Sequence, residues 1–414
     1  MNRLPTLTAA IAAAAGLAPV VRAQQCYSTD HQCFVFGGRP MAAEGDPGAK
    51  GLLLQSDRLK VTGDIRFRGR ASDKPDNEPY ANANDQQTTR ARLQFDFQAT
   101  EKVRAFLEVN YSEVWGGGGS YSDSRAGAAN NPNFDGISQA YVEADDMFGL
   151  GDKWVVGRSE YVLGNGLVLG SCDFLQRPAT FTGAWLSRNF FGHDVEVFVL
   201  DDYGPLQSTH DPVRYCGATA RIDLGGPTAD LVKSVRPHVL KGTNSGDVES
   251  KDTWYGVDID GTLPGAVNWK AEYGFRERAA LPGISAFRVQ VSRQLDCCGG
   301  FFESASLTYS DSEGAMHINP ADFNSAGLLH QYGGAWRSDI ATTQLAINTS
   351  PGWDLDLDIN LLHLERRGSS AQEGEYEADV ILARDFPSGV NAGIGYGIDD
   401  ESRQVAYFLL SVHF

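Results

Sequence analysis

From Leu59 onward, apolar and polar residues occupy alternate positions in one segment after another. In RLKVTGDIRFRGR, Leu59, Val61, Ile65 and Phe67 share one parity, while Lys60, Thr62, Asp64, Arg66, Arg68 and Arg70 take the other. TTRARLQFDFQA repeats the pattern, with Ala91, Leu93, Phe95 and Phe97 set against Arg90, Arg92, Gln94, Asp96 and Gln98. VRAFLEVNY sets Val103, Ala105, Leu107, Val109 and Tyr111 against Arg104, Glu108 and Asn110, and VNWKAEYGF and WDLDLDINLLH follow the same rule farther on. A period of two over about ten residues predicts strands with one apolar and one charged face.

Two environments produce that pattern: a soluble sandwich with a dry core, or a membrane barrel with lipid outside and water within. The amino terminus favours the second. MNRLPTLTAAIAAAAGLAPVVRAQQ has a basic residue at Arg3, an Ala-rich apolar run and a small-residue site ending at Ala23, the form of a secretory signal peptide. A lipoprotein signal acylated at Cys26 is the competing reading, but the preceding AQQ does not suit it. Past residue 24 no run nears the roughly 18 apolar residues of a spanning helix, whereas ten-residue strands match the length of a tilted membrane strand. No linker breaks the chain after residue 57. The predicted fold is therefore all-β: a single transmembrane antiparallel β-barrel of about 18 strands, range 16–18. The expected division is a signal peptide at 1–23, a periplasmic extension at 24–56 and an outer-membrane barrel at 57–414.

Strand parity orients the barrel. Counting segments separately gives an odd number, about nineteen, but reading 328–348 as one strand with a bulge near its glycines restores the even number usual for such barrels. Long polar connections (71–86, 115–135, 202–214, 311–326, 364–374) then fall on the outer side, and ATEK, TLPG, TSPG and FPSG become short periplasmic turns. The last strand, RQVAYFLLSVHF, places Phe408, Leu410, Val412 and Phe414 toward lipid and Tyr407 and His413 inward. The terminal Phe414 resembles the signal by which barrel-assembly machinery recognises its clients.

Composition agrees, with 46 Gly and 21 Phe but 4 Met among 414 residues, a balance that favours strands and turns. The formal charge of −18 becomes about −20 once Arg3 and Arg22 leave with the signal, so nucleic acid is an unsuitable partner. Six cysteines remain, and export permits disulfides. Cys172 and Cys216 fall in predicted outer loops and are candidates for one bridge. Cys297 and Cys298, in LDCCGG, fall on the periplasmic side with Cys26 and Cys33. Either they tether the extension through those two, or Cys26 and Cys33 pair locally. The CCGG turn resembles, over a few residues, the paired cysteines of the lipopolysaccharide-assembly barrel.

No hydrolase elbow, phosphate loop or HExxH is present, so a channel is expected rather than an enzyme, without metal or cofactor. Asp354, Asp356 and Asp358 mimic the start of a calcium loop, but Ile359 stands where Gly is required, and the alternating leucines make them a lumen-facing acidic ladder. Lys60, Arg66, Arg68, Arg90, Arg92 and Arg104 face inward by parity.

The stretch VGRSEYVLGNGLVLGSCDFLQRPATFTGAWL (156–186) resembles the signature region of the alginate-export family of outer-membrane porins. Gly157-Arg158, Asp173 and Thr180-Phe181-Thr182-Gly183 carry the likeness; Ser159, Gly166 and Phe174 depart from it. The resemblance implies an eighteen-stranded barrel passing an anionic polysaccharide, with Arg158 and Asp173 in the lumen set and periplasmic export components as partners. A small-solute diffusion porin is the alternative, and adhesion or assembly roles remain open.

Overall fold

The structure is a computed structural model describing residues 54–56, 58–72, 86–115, 134–170, 180–202, 213–225, 230–243, 251–279, 281–297, 301–313, 316, 328, 340–353, 355–366, 374–386 and 390–413. The signal and most of the extension, and Cys26, Cys33, Cys172, Asp173, Cys298, Asp354 and Phe414, lie outside these residues.

The strands are β1 (Leu54–Gln55), β2 (Leu59–Ser72), β3 (Gln86–Thr100), β4 (Val103–Trp115), β5 (Phe134–Asp145), β6 (Asp152–Ser159), β7 (Phe181–Phe190), β8 (His193–Asp202), β9 (Val213–Asp223) and β10 (Ser234–Gly242). They continue as β11 (Thr253–Leu263), β12 (Val267–Glu277), β13 (Ile284–Cys297), β14 (Phe302–Ser312), β15 (Ile340–Gly352), β16 (Leu355–Arg366), β17 (Gly374–Asp385), β18 (Val390–Asp399) and β19 (Gln404–His413). Strands β2 to β19 form a closed, eighteen-stranded antiparallel barrel, each pairing with its neighbour in sequence. Closure is made by β19 on β2, from Val405 opposite Ser72 to His413 opposite Asp64. Past that point β1 takes over the edge of β2, with Leu54 opposite Val61 and Gln55 opposite Lys60. No edge amide row is left open along most of the seam, which a lipid setting demands.

Burial settles which of the two environments applies. Along β2 Asp64, Arg66, Arg68 and Arg70 are buried, whereas Ile65 is exposed; Val61 is covered where β1 pairs with it. On β4 Glu108 and Asn110 are buried while Val109 and Tyr111 are exposed, and on β16 Asp356, Asp358 and Asn360 are buried while Leu361 is exposed. A soluble sandwich would show the reverse. An apolar outer face around a polar interior is the membrane-barrel arrangement. No helix among the described residues is long and apolar enough to cross a membrane.

Connections at the rim where β2 begins and β19 ends, the near rim, are short: 101–102 joins β3 to β4, and 191–192 joins β7 to β8. Those at the far rim include 73–85, 116–133 and 313–339. Two expectations are corrected. Of the strand predicted over 328–348, β15 begins at Ile340, Leu328 is not in a strand, and 329–339 lie outside the described residues. Leu328 is instead fully buried, its N–H donating to Asp379 Oδ2 (3.0 Å), because the bare backbone at Gly397 leaves room beside it. Cys216 does not lie in a loop but within β9, opposite Val199 and Lys241, with a free thiol. Tyr215 to Thr219 find ladder partners on both sides.

Candidate functional site: a charged lumen with an apolar inner lining

The inward parity of β2 and β3 carries six cations, Lys60, Arg66, Arg68, Arg70, Arg90 and Arg92, against two carboxylates, Asp64 and Asp96. Arg66 and Arg90 stand directly opposite each other, an arrangement that like charges oppose. Asp64 relieves it: its Oδ2 accepts from Arg92 Nε (2.6 Å) and its Oδ1 lies 3.4 Å from Arg90 Nη2. Glu108, on β4, accepts from Gln94 (2.8 Å) and Ser138 (2.5 Å) and lies 4.0 Å from Arg92. Arg70 Nε donates to the Tyr407 hydroxyl (3.1 Å) across the seam. A basic bank thus runs up the wall at β2–β3.

An acidic bank lies beside it rather than across from it. Asp356 and Asp358 on β16, Glu375, Glu377 and Asp379 on β17, and Asp399 on β18 are all buried inward. Arg403 joins Glu375 (2.6 Å) to Asp399, and Asn348 donates to Asp358. The uncharged inward residues of β19, Val405, Tyr407, Leu409 and Ser411, separate the two banks.

The wall opposite is not wet. The connection after β6 turns into the barrel, and Tyr161, Leu163, Leu167, Val168 and Leu169 pack with Phe181, Phe198, Leu200, Trp254 and Met316 in one apolar cluster. Gly274, inward on β12, leaves the hollow that receives it: a Cβ there would stand 2.6 Å from Met316 Cε and 3.5 Å from Leu167 and Val168, while the neighbouring Gly256 makes room for the His238 ring. The turn closes on itself through Leu163 N–H to Leu169 C=O (2.9 Å). Its tip is held by charge: Arg236 Nη1 donates to Gly164 C=O (3.2 Å), and Asp258 accepts from the Asn165 N–H. Burial, then the Glu196 charge, holds the Tyr161 hydroxyl well above its ordinary pKa, so it donates to Glu196 (2.6 Å). Below the tip, one inward row across β10–β13 reads Arg236, Asp258, Glu272, Arg288, a self-neutralising set with Arg288 on Glu272 at 2.7 Å.

Arg66, Arg68, Arg90 and Arg92 therefore come together as the sequence predicts, and Arg70 belongs with them by the same parity. Lys60 sits at the near end opposite Asp96, which also takes a two-pronged contact from Arg104 (2.7 and 3.1 Å), so this end is closer to neutral. Arg158 is not part of the row. It shares the parity of exposed Val156 and donates to Thr180 Oγ1 (2.9 Å) at the far rim. Asp356 and Asp358 join the acidic bank; no group of His, Cys, Asp and Glu among the described residues is arranged to hold a metal. Sequence reasoning missed the inward segment 161–169, whose signal was a rim connection too apolar to stay in water.

A scan of protein-family models finds no match, and a search of curated proteins finds no relative. Among solved structures the chain is similar to Occ/Opd outer-membrane porins. Pseudomonas aeruginosa OccK2 (OpdF), solved with glucuronate, aligns at TM-score 0.60 and 13% identity over 86% of this chain and 98% of that one. P. aeruginosa OpdK, solved with vanillate, aligns at 0.59 and 13% over 86% and 98%. Acinetobacter baumannii OccAB4 aligns at 0.59 and 13% over 87% and 98%. At these identities the likeness establishes the fold.

Proposed function

We propose that this chain is an outer-membrane channel, exported by the signal at 1–23, that passes small organic anions along the β2–β3 wall. The observation that carries this is the bank of Arg66, Arg68, Arg70, Arg90 and Arg92, five guanidiniums on adjacent inward rows with Asp64 between them. Fixed cations in a narrow wall raise the local concentration of anions and speed their entry. Planar guanidiniums also match the two oxygens of a carboxylate. Two of the similar structures hold glucuronate and vanillate, both carboxylates. Export of an anionic polysaccharide, implied by the 156–186 resemblance, fits less well. Residues 161–169 of that same stretch fill one side of the lumen, and the likeness is to channels solved with small ligands. The likeness to porins supports transport as the reading.

The test is a planar bilayer under a salt gradient, with vesicle uptake of glucuronate and vanillate. The unmutated protein should show an anion-favouring reversal potential, and Arg66→Gln, Arg68→Gln, Arg90→Gln and Arg92→Gln together should abolish it and slow carboxylate uptake. A cation preference in the unmutated protein overturns the proposal.

A further inference from the structure

The inner face of β17–β19 differs from the charged wall on either side of it. Gly393, Gly395 and Gly397 are successive inward positions of β18, so this strand presents bare backbone to the interior. Gly395 stands between Ile381 on β17 and Tyr407 on β19, and Gly393 between Ala383 and Leu409. The result is an apolar trench one strand wide. Asp356 and Asp358 lie beyond one edge of it, and Arg66 and Arg68 beyond the other.

The trench is dry. Ile381 is 0% exposed, Leu409 3% and Ala383 4%, although eighteen-stranded porins leave an aqueous channel and a glycine floor has no side chains to shut water out. The described inward connections lie elsewhere: 161–169 packs with side chains of β7–β13, and Leu328 stands beside Gly397, at the far end of the trench. Ile381, Ala383 and Leu409 sit closer to the near rim than that.

The near-rim connections between β2 and β19 run from two residues, at 101–102, to ten, at 224–233, and each joins neighbouring strands. Residues 24–53, which precede β1, form a much longer stretch of chain at the same rim. β1 lies on the edge of β2 with Leu54 opposite Val61, just past the end of β19, where His413 stands opposite Asp64. β19 therefore blocks the ladder before Leu54, and the preceding chain has to leave the sheet beside β18. An outward exit would carry Asp30, Arg39, Glu44, Asp46 and Lys50 into lipid, which is costly. An inward exit leads to the trench. Leu409 is opposite Arg68, which is about 23 Å along β2 from Val61 and well within reach of residues 24–53. That stretch holds the apolar run Phe34-Val35-Phe36, and its charges are of both signs, as are the two edges of the trench.

Resting on the membrane-channel reading, we infer that residues 24–53 enter the lumen from the near rim and dock in the trench of β17–β19, with Phe34-Val35-Phe36 on its glycine floor. The exported chain thereby narrows its own path beside the arginines of β2.

Proteinase K acting on the exported barrel in micelles, under reducing conditions so that no disulfide contributes, tests the docking; mass spectrometry reads the surviving amino terminus. Free termini are nicked first, so survival of residues 24–53 in the unmutated barrel is the expected sign of burial. Gly395→Phe, which fills the floor, should lose that protection while the barrel remains heat-modifiable. Leu409→Ser, which adds no bulk, should lose it as well. Rapid removal of 24–53 from the unmutated barrel is the result for an extension hanging in the periplasm, or for a trench covered by a far-rim connection, and overturns the inference. Protection that neither variant changes also overturns it. In planar bilayers, deletion of residues 26–50 should raise single-channel conductance about twofold or more, because the lumen widens. Equal conductance overturns the narrowing. Protection without conductance in either form upholds the docking and counts against the channel reading.

Discussion

The Gly164 Cα sits against the Asp258 carboxylate so closely that a Cβ there would overlap Oδ2. The backbone is left-handed at this point, φ 62°. Glycine is thus required twice over, for conformation and for space. Gly164→Ala should lift the tip of the inward segment off Arg236 and Asp258, at a strain cost of about 1–2 kcal/mol. Single-channel conductance in planar bilayers should rise and become noisier. A variant with unchanged conductance would mean that the segment does not narrow the path.

Asp64 bridges Arg90 and Arg92. Asp64→Asn removes a negative charge beside the facing pair Arg66 and Arg90. Stability should fall by about 1–3 kcal/mol, the penalty for stripping a buried charged group of its partner. Anion selectivity should move the opposite way and increase, because the bank loses a negative charge. Urea unfolding in vesicles and reversal potentials measure the two effects, and a fall in both would contradict the assigned role. The selectivity should also weaken between about 0.1 and 1 M salt, where the screening length drops from about 10 to 3 Å.

Much of this architecture is legible in the chain, for a physical reason. Lipid on one side and water on the other force period-two alternation, so Ile65 against Arg66 or Leu361 against Asn360 can be read without a structure. Far-rim connections that turn inward obey no such period. YVLGNGLVLG has no alternation, and its burial depends on Gly274, about one hundred and ten residues away along the chain. Leu328 reads as strand only because joining 328–348 restores an even strand count; its partner in the structure, Asp379, lies 51 residues on. Inward glycines within strands were the available signal, since a strand gives up side-chain packing there for close approach. Arg158 misled because its resemblance to a family motif was stronger than its own parity.

Tyr407 joins two parts of the interior. Its hydroxyl accepts from Arg70 Nε (3.1 Å) and reaches Leu328 C=O (3.4 Å). Tyr407→Phe removes both contacts while keeping the ring, at a cost of about 1 kcal/mol for each hydrogen bond lost. Limited proteolysis from the far side should then cut near Leu328 faster than in the unmutated barrel, with the barrel itself intact on heat-modifiability gels. Equal cleavage would show that Asp379 alone fixes this residue.

The near-rim turns are tied by Lys102 Nζ to Asp146 Oδ2 at 2.6 Å, linking the β3–β4 and β5–β6 connections. The Lys102 contact, reinforced by the Gly151 N–H, holds the Asp146 carboxyl below its ordinary 3.8, and the Asp146 contact holds Lys102 above its ordinary 10.5. For the depressed acid, the stabilisation is present above 3.8 and disappears as pH falls through the lower folded value. For the raised base, it is present below 10.5 and is lost as pH rises through the higher folded value. The tie should therefore hold across the whole neutral range and open only at the extremes. Carbon-detected NMR titration of Asp146 in micelles should place its inflection below 3.8, and Lys102→Gln should return it toward that value. An inflection unmoved by the substitution would assign the shift to Gly151 and leave the two turns uncoupled.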